Sequence, residues 1–92
     1  MPTVTLARHL QRFFPTLADG PLEVDARTAA EVVRAVDALA PGLADYLVDE
    51  RGALRRHVNM FIRGAMIADR QALSDRVPAD ATVYIFQALS GG

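Results

Sequence analysis

One stretch of this chain, "TAAEVVRAVDAL" at residues 28–39, carries the pattern of a full-length amphipathic helix. The other strong patterns in the chain alternate with period two. That imbalance is the main constraint on the fold, because one helix can cover only one face of one sheet. Ala29, Val32, Val36 and Leu39 fall on one side of the helix, while Arg34 and Asp37 turn toward water. The spacing T-x-x-E at Thr28 and Glu31 predicts a capping box. In it, Thr28 accepts from the Glu31 amide and the Glu31 carboxylate reaches back to the Thr28 amide. Pro41-Gly42 ends the helix.

Around this helix the chain reads as strands. Residues 3–10, "TVTLARHL", begin with Val4 and Leu6 on one face and Thr3 and Thr5 on the other. A loop rich in turn residues (Pro15, Asp19, Gly20, Pro21) leads to a short strand at 22–24, which makes an N-terminal hairpin. "GLADYLVDERG" predicts one irregular helical turn running into a loop. In "RRHVNMFIRG", Val58, Met60 and Ile62 alternate with His57, Asn59, Phe61 and Arg63. Gly64 suggests a turn and 65–67 a short edge strand, while "ALSDRVPADA" reads as loop with at most a single helical turn. "TVYIFQ" at Thr82–Gln87 is the strongest strand signal in the chain. The expected architecture is a single α+β domain over residues 1–92, a mixed sheet of four to five strands packed on one main helix. If Val83 and Ile85 face that helix, then Phe61, Tyr84 and Phe86 share the open face as an apolar patch suited to docking a partner.

Composition removes several kinds of chemistry. There is no cysteine, hence no disulfide, thiolate nucleophile or cysteine-ligated metal. All ten basic residues are arginine, so no lysine Schiff base can form. A net charge of −1 argues against non-specific nucleic-acid binding. His9 and His57 are the only histidines, and no carboxylates are spaced to converge on them as metal ligands. No serine–histidine–acid spacing, phosphate-cradling glycine loop or catalytic carboxylate pair stands out, so the chain is not expected to be an enzyme. The opening "MPTVTLARHL" lacks the apolar run of a signal peptide, and no stretch is long enough to span a bilayer. A cytoplasmic location is the expectation. "LRRH" at residues 54–57 and Asp49-Glu50 read as solvated loop charges, with a partner-steering role as the alternative.

The chain ends "ALSGG". At an average glycine usage of roughly 7%, two terminal glycines occur by chance in about 0.5% of chains. A C-terminal carboxylate is ionised near neutral pH and is a poor electrophile, so acyl chemistry there needs activation, as by attack on ATP to give an acyl-adenylate. An activating enzyme holds such an intermediate in a narrow, water-excluding site. Glycine, with no Cβ and a wide choice of backbone angles, threads that kind of channel. A strand ending in a short flexible arm, residues 88–92, would deliver a carboxylate into another protein.

The β-β-α-β-β order, the "T-x-x-E" helix start, the strand "HVNMFIRG" and the ending "TVYIFQALSGG" together resemble the MoaD/ThiS family of sulfur-carrier proteins, which share the β-grasp fold of ubiquitin. The resemblance covers essentially the whole chain. Its most specific parts are the "VN-[apolar]-[aromatic]-[apolar]-x-G" strand and the terminal diglycine. "LRRHVNMFIRG" is nearer to the MoaD-like and CysO-like carriers than to the shorter ThiS type. The resemblance implies that a ubiquitin-activating-type adenylyltransferase, MoeB/ThiF-like, uses ATP to adenylate the carboxylate of Gly92. A sulfur donor then converts it to a thiocarboxylate, and a sulfur-accepting synthase takes the sulfur, for molybdopterin or a related product such as cysteine. Gly92 would carry the chemistry, with Gly91 as its slim approach. Phe61, Tyr84 and Phe86 match the family's docking surface, and Leu89 lies beside it. The chain itself would bind no cofactor, metal, nucleic acid or membrane and would be monomeric when free. Many members have a proline after the aromatic of the last strand; here Gln87, Ala88, Leu89 and Ser90 stand instead, which bears on the partner served. The alternative class is a ubiquitin-like modifier conjugated to target lysines, which shares the acyl-adenylate step.

Overall fold

The computed structural model describes residues 1–87. The expected arm at 88–92, with Leu89, Gly91 and Gly92, lies outside them. In chain order the elements are β1 (Thr3–Leu6), α1 (Arg8–Gln11), a 3-10 helix (Pro15–Asp19), β2 (Leu22–Glu23), α2 (Ala29–Leu39), α3 (Leu43–Leu47), β3 (Val58–Ile62), β4 (Ala65–Met66) and β5 (Thr82–Gln87). The five strands form one sheet in the order β2-β1-β5-β3-β4. β1 and β5 run parallel at its centre and the other neighbours are antiparallel.

The inner face of the sheet follows from the alternation. Val4, Leu6, Val83, Ile85, Val58 and Met60 are buried against α2, which contributes Ala29, Val32, Val33 and Val36 to one continuous core. Burying a side chain of valine size or larger contributes about 1.5–3 kcal/mol, so the nine such residues among these ten contribute a large share of the stability. Leu39, expected on the buried stripe, is instead exposed, while Val33 is buried. Leu39 lies at the rim of the stripe in the last turn, and the stripe is centred on Ala29, Val36 and Ala40.

The N-terminus of α2 is closed more thoroughly than a capping box requires. The Glu31 amide donates to Thr28 Oγ1 (3.2 Å), as expected. The Glu31 carboxylate, however, accepts from the Arg27 amide (3.0 Å) and not from that of Thr28. Thr28 forms a β-bridge with Arg76, beside which the Val77 amide donates to the Arg27 carbonyl (2.8 Å). The amides of Ala29 and Ala30 donate to the carbonyls of Asp75 (3.0 Å) and Leu73 (2.9 Å). The first amides of α2 are therefore partnered by groups from a distant loop. Asp37, expected to face water, is half-buried and accepts from the amides of Gly42 (3.1 Å) and Ala44 (2.9 Å), capping α3. Gly42 sits at φ 100°, a left-handed conformation glycine adopts freely.

Two further corrections concern the N-terminal half. The strand expected over 3–10 stops at Leu6; Arg8–Gln11 turns into a short helix that buries Leu10. β2 ends one residue early, at Glu23, although the Val24 amide still bonds across to β1 in the same register, donating to the Pro2 carbonyl (3.0 Å).

No helix forms in "ALSDRVPADA"; carboxylates hold that loop instead. Asp69 accepts from the amides of Gln71 (3.2 Å), Ala72 (3.0 Å) and Ser74 (3.3 Å) and from the Ser74 hydroxyl. Asp75 accepts from the amides of Ala68 (2.9 Å) and Asp69 (2.7 Å). The Ser74 hydroxyl and the Ala72 amide hold the Asp69 carboxyl at about 2, against an ordinary 3.8. Because the folded value is the lower one, its contribution is complete above pH ~4 and is lost as pH falls toward 2. Over that window the denaturation midpoint of Asp69→Asn is expected to fall less steeply than that of wild type. Parallel pH profiles would show that the loop does not depend on the carboxylate.

Candidate functional site

The outer face of the sheet carries what alternation leaves over. On β5, Thr82, Tyr84 and Phe86 point away from the core, since Val83 and Ile85 are fully buried. The antiparallel register sets Phe61 of β3 opposite Tyr84 and Asn59 opposite Phe86. Phe86 stacks on its diagonal neighbour Phe61, with centroids 5.7 Å apart and planes 7° from parallel. It also stacks on Tyr84 along its own strand, at 5.7 Å and 27°. Aromatic pairs of this kind contribute about 0.5–1.5 kcal/mol each beyond the area they bury. The structure thus brings Phe61, Tyr84 and Phe86 together on one open face.

Met66 extends the patch and Thr5 borders it. Met66 of β4, opposite Phe61, is 55% exposed, and Tyr84 is 41% exposed. On the far side the patch borders Thr5, which faces Tyr84 from β1. Near Phe86, Asn59 Oδ1 accepts from Arg70 Nη1 (3.1 Å), and Arg70 Nη2 donates to the Arg55 carbonyl (2.7 Å). One guanidinium therefore pins the edge of the aromatic face. A stack of three rings plus a thioether, left open on a sheet, fits a surface that another protein covers. Sequence reasoning missed Met66, whose exposure follows from its register with Phe61, and Arg70, whose partners lie eleven and fifteen residues away.

With this geometry in place, the chain compares closely in structure with small proteins of known fold. It matches a chain of the Amycolatopsis orientalis BexX/CysO complex with a TM-score of 0.84, 23% identity and all of both chains covered. It matches Mycobacterium tuberculosis CysO, described as an antigen, with a TM-score of 0.82 at 21% identity over 97% of this chain and 100% of that one. Small archaeal modifier protein 1 from Methanosarcina acetivorans gives 0.78 at 18% identity, covering 99% and 95%. The protein has the ubiquitin-like β-grasp fold. No family model matches the chain. No curated protein matches it in sequence.

A second aromatic group on this β-grasp domain escaped the sequence reading. Tyr46 of α3 stacks on Phe13 (5.5 Å, 24°) and meets Phe14 edge-on (5.4 Å, 89°). Phe13 is 59% exposed and Tyr46 40%. The pairing was not legible because Phe13 and Tyr46 are separated by the whole of β2 and α2.

Elsewhere on the β-grasp domain, a concavity of about 210 Å³ between α2 and α3 is lined by Ala30, Val33, Arg34, Ala44, Val48, Gly52 and Leu73. Arg34 is its one ionisable residue, so it offers no acid–base pair. Among the described residues, no three His, Asp or Glu side chains converge as metal ligands, and no helix is long and apolar enough to cross a membrane.

Proposed function

We propose that this β-grasp protein is a sulfur carrier of the MoaD/ThiS type. The observation that carries the reading is the aromatic face on β5, the strand that runs straight into "ALSGG". The same strand thus holds a docking surface and leads to the reactive terminus. In the proposed reaction an oxygen of the Gly92 carboxylate attacks the α-phosphate of ATP, forming the acyl-adenylate and releasing pyrophosphate. Hydrosulfide delivered by the sulfur donor then attacks the acyl carbon, AMP leaves and the sulfur loses its proton, which yields the thiocarboxylate. ATP and the donor belong to a MoeB/ThiF-like partner system, and the chain is the substrate of those enzymes. Phe61, Tyr84 and Phe86, with Leu89 beside them, seat the partner. Gly91 and Gly92 enter its channel. The reading places the protein in the cytoplasm as a monomer that hands its sulfur to a synthase, either for molybdopterin or for a product such as cysteine.

A second reading has its own support. One structural relative is by name a small modifier protein, so conjugation of Gly92 to target lysines is the alternative fate of the same acyl-adenylate.

The test is intact-protein mass spectrometry of the chain expressed untagged in its own host. A population heavier by one oxygen-to-sulfur exchange is expected, and it should vanish when Gly91 and Gly92 are deleted. Gly92→Ala should reduce it at least tenfold while leaving the thermal midpoint within a degree or so of wild type. Unmodified mass alongside thiol-stable higher-mass conjugates would select the modifier reading. Unmodified mass without conjugates would exclude both.

A further inference from the structure

The end of the sheet from which residues 88–92 depart is flanked by basic side chains. Gln87, the last residue of β5, lies opposite Val58, which sets Arg55, Arg56 and His57 on one side of the exit. On the other side, Leu6 faces Ile85 and the Ala7 amide donates to the Ile85 carbonyl (2.9 Å), which sets Arg8 beside the end of β5. Arg8, Arg12, Arg55, Arg56 and His57 are all exposed. The one side-chain hydrogen bond made by this group runs from Arg55 Nε to the Asp45 carbonyl (2.8 Å), a backbone oxygen and not a carboxylate, among the described residues. Asp45 comes in with this contact, and Asp49 and Glu50 sit at the tip of the loop closed by the Val48–Leu54 bridge, where Asp49 accepts from the amides of Arg51 and Ala53. Four arginines thus gather at one end of a chain whose net charge is −1. The exposed Phe13–Tyr46 stack belongs to the same end, since Phe13 follows α1 and Tyr46 adjoins Asp45.

We propose that this end is a second docking surface, and that it seats an acidic rim around the channel through which the activating enzyme receives the tail. The proposal rests on the sulfur-carrier reading, and two arguments select this occupant. First, five residues reach at most about 17 Å, so an enzyme that holds the Gly92 carboxylate inside itself must bring its channel mouth against this end. Second, a tail threaded at that extension carries the nucleotide far beyond arginines rooted beside Gln87. Their complement is therefore the protein rim and not the triphosphate. The division of labour is physical: the sheet's aromatic face supplies apolar anchoring, and the arginines supply long-range attraction and orientation.

The test is ATP–pyrophosphate exchange catalysed by the host's ubiquitin-activating-type adenylyltransferase, with the full chain as the varied substrate, at about 0.05 M and about 0.3 M salt. R8E/R56E is expected to raise KM for the chain about tenfold at low salt, to leave kcat unchanged, and to flatten the salt dependence seen with wild type. R8K/R56K should keep the wild-type values. An unchanged KM in R8E/R56E would overturn the proposal while leaving the carrier reading intact. So would a rise in KM equally large at both salts, or one reproduced by R8K/R56K, because packing and not charge would then be the cause. Absence of exchange with the wild-type chain would remove the carrier reading and this inference with it. Thermal melts accompany each variant, and if R8E/R56E unfolds early, R8Q and R56Q measured singly decide the matter by the same criteria.

Discussion

Ile85→Ala is expected to cost about 3–4 kcal/mol of folding stability, near the upper part of the range for an aliphatic truncation in a packed core. Ile85 is fully buried on the central strand, with Leu6 opposite it on one side and Met60 on the other. Neither neighbouring strand can move inward to fill the gap without breaking its own ladder. A domain of this size has a total stability in the lower part of the usual 5–15 kcal/mol, so the substitution removes a large share of it. The melting temperature should fall by roughly 15 °C or more. A loss below about 1 kcal/mol in chemical denaturation would mean that Ile85 is not where the core is tightest.

The next residue should behave in the opposite way. Phe86→Asp is expected to weaken binding of the activating partner about 100-fold or more, the effect of losing a central aromatic anchor worth at least 2 kcal/mol and replacing it with a charge. Its cost to stability should stay near 1–2 kcal/mol, since what it loses in the fold is its stacking on Phe61 and Tyr84. Isothermal titration and denaturation on the same preparation separate the two effects, with Phe86→Leu as a variant that keeps the surface apolar. Global unfolding of Phe86→Asp would place Phe86 in the core and remove the docking face. Unchanged affinity in a folded variant would move the interface elsewhere. Two consecutive residues, one read by stability and the other by binding, report the two faces of the strand.

The parts of this architecture that were legible in the sequence are those written in local periodicity. Val58, Met60 and Ile62 against Phe61, and Val83 and Ile85 against Tyr84 and Phe86, each fix a strand and its orientation within six residues, and the structure keeps both. The single long helix forced one sheet face to stay open, so the aromatic patch could be anticipated without knowing the strand order. Features set by distant partners were not legible. Arg8–Gln11 coils because Leu10 must reach the core, and only the Leu6–Leu10 spacing hinted that alternation had ended. The Glu31 carboxylate accepts from Arg27 and not from Thr28, and the residues flanking Thr28 bond across to the segment around Arg76, forty-eight positions beyond it, pairings that local spacing does not show. Asp37 and Asp69 look like ordinary surface charges until the loops they hold are in place. The chemistry proposed for the tail rests on residue type and resemblance, with Leu89, Gly91 and Gly92 outside the described residues.

The parallel pairing of β1 with β5 has a consequence for how the protein comes into being. β1 and β3 never touch as neighbours; β5 fills the slot between them and pairs Thr3 with Thr82. An emerging chain therefore holds two half-sheets that cannot join until Thr82–Gln87 has been synthesised, and closing so long a loop makes assembly slow. Tyr84 and Phe86 arrive on that same closing strand, so the stacked aromatic face cannot exist on a half-folded molecule. A partner that recognises this face would meet finished molecules only, and the recognition event would double as a check on folding.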